Sequence, residues 1–335
     1  MDVMAANQKM KSILRVLAWV LPPVFLYLCF REVDWQALAA TFSRIHLLHL
    51  FVALGFILAI PWLKAFQWQT LFRPGYVIPF FKLFETVSVW IMATNIFPLW
   101  AGEAMTVFVL SKKEGVPKSA ALSVLVLDRI FDGITLVLFV LALAWAGAVP
   151  LMMRQSLWGV LVFVVLAIVA LALLSYKFRH RPQGSQGIFK GAFARWAHEL
   201  QTLRNLQNFF LVLVWTLVAR AMEYFSLIFL QWGFGLDLPW YAPLLVMTAL
   251  HVAMIIPAVP GNLGIFEAAV FFVYRFLGVE PSVALGMALL FHALLALPLI
   301  IQGYGFYLRL GLRRASVNKM ENSGFPADQI IPGGI

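Results

Sequence analysis

Cysteine is almost missing from the chain. Cys29 is the single one in 335 residues, so an intrachain disulfide is impossible, and no Cys/His spacing of the zinc-binding kind occurs. Charge is scarce as well: 12% of residues are charged against 62% hydrophobic, which excludes both an ordinary water-soluble domain and a disordered chain. No polar stretch is long enough to bury a separate core, the longest covering about residues 177–206. The short alternating segments of a membrane β-barrel are also missing. What is present is a series of long, continuous apolar runs, and the chain reads as an all-α, polytopic integral membrane protein.

The formal net charge of +10 raises nucleic acid as a partner. Lys and Arg, however, sit in short loops beside apolar segments, where they set topology or touch anionic lipid, so no nucleic-acid partner is expected. Apolar segments of spanning length lie at about 13–30, 47–72, 119–146, 156–176, 207–232 and 283–308, six full transmembrane helices. Basic residues at Lys9, Lys11 and Arg15, at Arg73 and Lys82, at Lys112, Lys113 and Lys118, over 177–204, and at Arg309, Arg313 and Arg314 mark one face as cytoplasmic and put both termini there. The first apolar run leads into Arg31-Glu32-Val33-Asp34 rather than a small-residue cleavage site, so it reads as a retained span. Residues 34–45 have the pattern of a short amphipathic helix lying along the outer interface. The expected organisation is one transmembrane domain over 1–314 and a short cytoplasmic tail over 315–335, too small for a core and expected to be disordered.

Two regions break the pattern. The stretch from Lys82 to Lys113 begins and ends with cytoplasmic-looking lysines and is too short for two full spans, yet too long for one plain helix. A re-entrant hairpin breaking at Asn95, Pro98 and Gly102 fits it; the other reading is a single long span with Lys112 and Lys113 outside. The stretch from Pro243 to Gly278 has two short apolar runs on either side of Pro257, Pro260, Gly261 and Gly264, and chain parity calls for a second hairpin entering from the opposite face. A broken helix survives in lipid only where other protein or a polar cavity satisfies its backbone. Paired breaks in two halves are the mark of an inverted repeat with a transport site between them, here about 13–146 and 156–308.

The intramembrane charges fall in the same places. Asp128, Arg129 and Asp132 lie two to three turns into one span, with both aspartates on one face. Arg220 and Glu223 lie in the corresponding half, where Lys64-Ala65-Phe66-Gln67 in the first half aligns with Arg220-Ala221-Met222-Glu223 in the second. Lys64 itself reads as a residue snorkelling to the cytoplasmic face. Glu103 and Glu267 each follow a glycine break, where a carboxylate stabilises the start of a half-helix, and Glu103 to Asp128 spans the same distance as Glu267 to His292. Each of these charges is open to two readings, a structural lock between helices or a lining for a substrate path. His251 and His292 stand alone in apolar runs and read as packed, hydrogen-bonded residues.

The segments "NIFPLWAGEAMTVFVL", "LVLDRIFDG" and "VPGNLGIFEAAV" resemble the lysylphosphatidylglycerol synthase transmembrane family, also called flippase-like proteins. Pro98, Gly102, Glu103, Arg129, Asp132, Pro260, Gly261, Gly264 and Glu267 stand at positions of its pattern; Thr106, Asp128 and His292 depart from it. The resemblance implies a transporter moving a charged-head-group lipid between leaflets of a bacterial cytoplasmic membrane. Its cargo would be a phospholipid, an aminoacyl-phospholipid or a polyprenyl-linked glycolipid. The soluble aminoacyl-transfer half of the bifunctional members is not in this chain, so no enzyme activity, cofactor or metal is expected. The partners implied are membrane lipids and a separate lipid or glycolipid synthase. Substrate contacts are expected from Asn95, Glu103, Asp128, Arg129, Asp132, Arg220, Glu223 and Glu267. A membrane-embedded transferase and a scaffold for a synthase are the competing readings.

Overall fold

The structure, a computed structural model, describes residues 23–31, 33–72, 76–97, 101–147, 205–254 and 260–322, with a few helical positions between 159 and 169. The protein is an all-α membrane protein, and no strand occurs among the described residues. Helical residues 23–30 lead to α1 (Trp35–Ser43), which Asp34 caps by accepting the Gln36 and Ala37 amides at 2.8 and 3.4 Å. Leu38 turns inward while Trp35 stays exposed and stacks on Phe30. The chain continues through α2 (Leu47–Leu71), α3 (Phe80–Ile96), α4 (Ala101–Lys113), α5 (Lys118–Trp145), α6 (Leu206–Gly233), α7 (Ala242–Ala253), a 3-10 turn (Pro260–Asn262), α8 (Ile265–Phe276) and α9 (Pro281–Asn322).

Length separates these helices into two kinds. α2, α6 and the Pro281–Arg309 part of α9 are long and apolar enough to cross a membrane. At a rise of 1.5 Å per residue each extends about 37 Å or more, against a hydrocarbon core of about 30 Å. α5 has 28 residues and the same reach, but carries three charges midway. α3, α4, α7 and α8, with 17, 13, 12 and 12 residues, extend only about 18 to 26 Å. The spans expected at 47–72, 119–146, 207–232 and 283–308 each form one helix, and α9 runs on to Asn322. Nothing between Arg314 and Asn322 breaks that helix. Residues 13–22, most of the span expected at 156–176, the basic loop at 177–204 and residues 323–335 lie outside the described residues.

Both irregular regions are helix pairs. α3 packs on α4, and α7 on α8. Gly102 is not itself the break: it lies inside α4, where a Cβ would collide with the Thr94 side chain, so its role is to let the two half-helices touch. In the second pair the turn uses left-handed backbone at Gly261 (φ 64°), Asn262 (φ 53°) and Gly264 (φ 85°). Pro260 opens the 3-10 turn, while Pro98 and Pro257 lie outside the described residues. The tips of the two pairs meet. A Cβ on Gly261 would stand 3.1 Å from the Asn95 carbonyl oxygen, so only glycine meets both the space and the φ at that contact.

The principal contacts are unchanged when the halves are exchanged. α2 packs along α6; α3 packs on α9 as α7 packs on α5; α4 packs on α5 as α8 packs on α9. The first helix of each pair thus lies against the long helix of the other half, and the second against the long helix of its own. Apolar side chains form two main clusters, one built on Trp68, Leu83 and Phe131 of α2, α3 and α5, the other on Phe271, Tyr274 and Phe291 of α8 and α9. Their burial is the main stabilising term where protein rather than lipid surrounds them.

Candidate functional site

Two long helices bring charges to half their length. Asp132 lies fourteen residues into the 28 of α5, and Arg220 fourteen residues into the 28 of α6. Their side chains meet, with Arg220 Nη2 donating to Asp132 Oδ1 at 2.6 Å. Arg220 Nη1 donates to Glu223 Oε2 at 2.8 Å, one turn on in the same helix. From α2, Lys64 Nζ donates to Asp128 Oδ1 at 2.7 Å and stands 3.5 Å from Asp132 Oδ1. Lys64 is 5% exposed, so the expectation that it snorkels to the surface is wrong: Asp128 gives its ammonium a nearer and drier partner than the membrane surface.

Arg129 takes a different direction from its neighbour Asp128, as residues about 100° apart on a helix must. Its Nη2 donates to Glu103 Oε1 at 2.9 Å, on the first turn of α4, while Asp132 Oδ2 is 3.8 Å from Nη1. The guanidinium also lies over the Trp90 ring at 5.6 Å. Glu103, not Asp132, is the nearer holder of the Arg129 fork. Asp132 Oδ1 is shared by Arg220 and Lys64, and only its Oδ2 is turned toward Arg129. The whole forms one ion-pair network through four helices, with Lys64, Arg129 and Arg220 set against Glu103, Asp128, Asp132 and Glu223. Two acceptors in it, Glu103 Oε2 and Asp128 Oδ2, are buried and find no hydrogen-bond partner among the described residues.

Glu267 belongs to a second cluster. Its Oε2 accepts the Gly264 amide at 2.6 Å and closes the N-terminus of α8, and its Oε1 is 2.7 Å from His292 Nδ1 on α9. The Phe266 ring stacks on the imidazole at 4.2 Å. His292 is therefore not solitary, whereas His251 Nδ1 donates to the Met247 carbonyl at 2.7 Å, as a packed histidine does. Asn95 is at the end of α3, where its amide donates to the Ile91 carbonyl at 2.8 Å and its own carbonyl faces Gly261. The structure thus joins Glu103, Asp128, Arg129, Asp132, Arg220 and Glu223, and keeps Glu267 and Asn95 outside that network. Sequence reasoning did not assign Lys64 to it. The alignment of Lys64 with Arg220 was the available signal, since both converge on the same Asp132 oxygen.

Residues 13–303 match the family described as the lysylphosphatidylglycerol synthase TM region. The chain belongs to that family. No curated protein matches it. Family membership gives the chain a membrane, lipid-related function, and the network just described lies wholly within the matched residues.

Proposed function

We propose that the protein moves a lipid with a charged head group between membrane leaflets, and that Arg129 takes the lipid phosphate. The observation that carries this reading is the accessibility of Arg129. Its side chain is 53% exposed midway along α5, whereas the other six members of the network are at most 18% exposed. An arginine at that depth faces acyl chains only at high cost, so its exposure marks a polar path. The guanidinium stays protonated and offers a planar fork matched to phosphate oxygens. An arriving phosphate would replace Glu103 on that fork. Glu103, released from the fork, would then accept from hydroxyl or amine donors on the head group.

On this reading the α3/α4 and α7/α8 pairs are re-entrant hairpins related as an inverted repeat. The first enters from the cytoplasm and the second from outside, in a bacterial cytoplasmic membrane with both termini inside. The flanking lysines, the short helices and the meeting of the tips support it. The protein acts as a transporter and not as an enzyme, and a separate synthase supplies its cargo, a phospholipid, an aminoacyl-phospholipid or a polyprenyl-linked glycolipid. The test is leaflet exchange in liposomes holding the purified protein, measured with acyl-labelled lipids that differ only in head group. Exchange faster than in protein-free vesicles, and selective for some charged head groups, is expected. Exchange at the protein-free rate for every head group would favour a transferase or a scaffold instead.

A further inference from the structure

The two halves hold their hairpin carboxylates differently. In the first, Glu103 pairs with Arg129, a permanent cation. In the second, Glu267 pairs with His292, whose charge a single proton changes. Both groups are buried, Glu267 at 3% and His292 at 8% exposure. An ionised Glu267 requires the hydrogen on Nδ1 of His292, which leaves Nε2 as the basic atom. The pair then carries one net negative charge, offset by the Gly264 amide and the positive end of α8. A proton taken up at Nε2 makes the imidazole an imidazolium, leaves Glu267 a carboxylate and brings the pair to neutrality. The proton comes from water and returns to water when the step reverses.

Among the described residues, other titratable groups on the surrounding helices make contacts of their own. His251 of α7 is held by Met247, Tyr274 of α8 accepts from the Gln231 amide at 3.1 Å, and Arg275 donates to the Val279 carbonyl at 2.8 Å. Lys82 and Glu85 of α3 face each other at 3.7 Å, and the charges of α2 and α6 belong to the Asp132 network. His292 is distinguished from them by its direct contact with the Glu267 carboxylate. A contact path also leads from the pair to the first site. Glu267 fixes Gly264, three residues on from Gly261; Gly261 touches the Asn95 carbonyl at the end of α3; and α3 packs on α4, which carries Glu103 against Arg129.

We propose that Glu267 and His292 form a proton-binding site that couples proton movement to lipid movement, by shifting the second hairpin tip against the first. The coupling half of this inference rests on the lipid-transport reading; the proton-binding half does not. Two measurements separate them. Nitrogen-15 NMR of histidine-labelled protein in detergent, taken between about pH 5 and pH 8 where histidine ordinarily changes charge, should show a titrating resonance that His292→Gln removes and Glu267→Gln shifts. No such resonance would overturn the proton site whatever the lipid result. In liposomes of phosphatidylglycerol and phosphatidylcholine with acyl-labelled phosphatidylglycerol, an imposed pH gradient should change the wild-type exchange rate. His292→Arg, which fixes the charge, should flatten that response whatever its absolute rate. A wild-type rate above the protein-free one but indifferent to the gradient would overturn the coupling, and so would an unchanged response in His292→Arg. A wild-type rate equal to that of protein-free vesicles would overturn coupling for this lipid, and the NMR titration would still decide the proton site.

Discussion

Replacing Lys64 by methionine tests how the charges are held at half-depth. The substitution keeps most of the side-chain volume and deletes the ammonium that stands 2.7 Å from Asp128 and 3.5 Å from Asp132. Asp132 retains Arg220 at 2.6 Å, so the loss falls on Asp128, a side chain 1% exposed whose cation is Lys64. Leaving one partner of a buried pair without the other typically costs about 3 to 5 kcal/mol. The double variant Lys64→Met with Asp128→Leu removes both desolvated charges and should return to within about 1 kcal/mol of wild type, or exceed it. The assay is the thermal unfolding midpoint of the purified proteins in one detergent, with the order wild type and double variant above Lys64→Met. A Lys64→Met protein as stable as wild type would refute the reasoning. It would mean that the ammonium reaches the membrane surface and never needed Asp128.

Further outcomes follow from the same contacts. Gly102→Ala should destabilise the first helix pair by about 1 to 3 kcal/mol through overpacking, and Thr94→Ala, which removes the colliding methyl, should restore much of the loss in the same unfolding assay. Gly303→Ala places its Cβ against the Ser88 carbonyl of α3, a backbone atom that no side-chain change removes. That variant should lower the yield of folded protein with no rescue by Met92→Ala. For topology, Leu236→Cys in a Cys29→Ala background should react with a membrane-impermeant thiol reagent added outside intact cells, and Lys113→Cys should not. Efficient labelling at 113 would refute the proposed cytoplasmic entry of the α3/α4 pair.

Much of this architecture is legible in the sequence, for physical reasons that also set the limit. Span lengths and breaks are local properties: apolar runs and the glycines and prolines between them place α2, α5, α6 and both helix pairs without knowledge of neighbours. The ion pairs are not local. Asp128 and Arg129 are adjacent in sequence, yet one faces Lys64 on α2 and the other Glu103 on α4. A rotation of α5 by one residue, about 100°, would exchange those partners. The sequence match of Lys64 with Arg220 carried information that the hydropathic setting of Lys64 hid, because Arg220 is plainly too deep to snorkel. The equal spacing of Glu103 to Asp128 and Glu267 to His292 likewise pointed to the right pair of helices. In the first half the true partner of the glutamate proved to be one residue further, at Arg129. Gly102 was legible as a special position, although its task is close helix contact and not the break itself.

Whether the accessible Arg129 binds the phosphate of a moving lipid is decided by leaflet exchange measured for Arg129→Gln and Arg129→Lys beside wild type in the same liposomes. With the charged-head-group lipids that wild type moves, Arg129→Gln should fall to the protein-free rate while keeping a folded elution profile. Arg129→Lys, which retains the charge but not the planar fork, should lie between. Wild-type exchange by a well-folded Arg129→Gln would rule out phosphate binding by Arg129 and leave the network as a lock between helices.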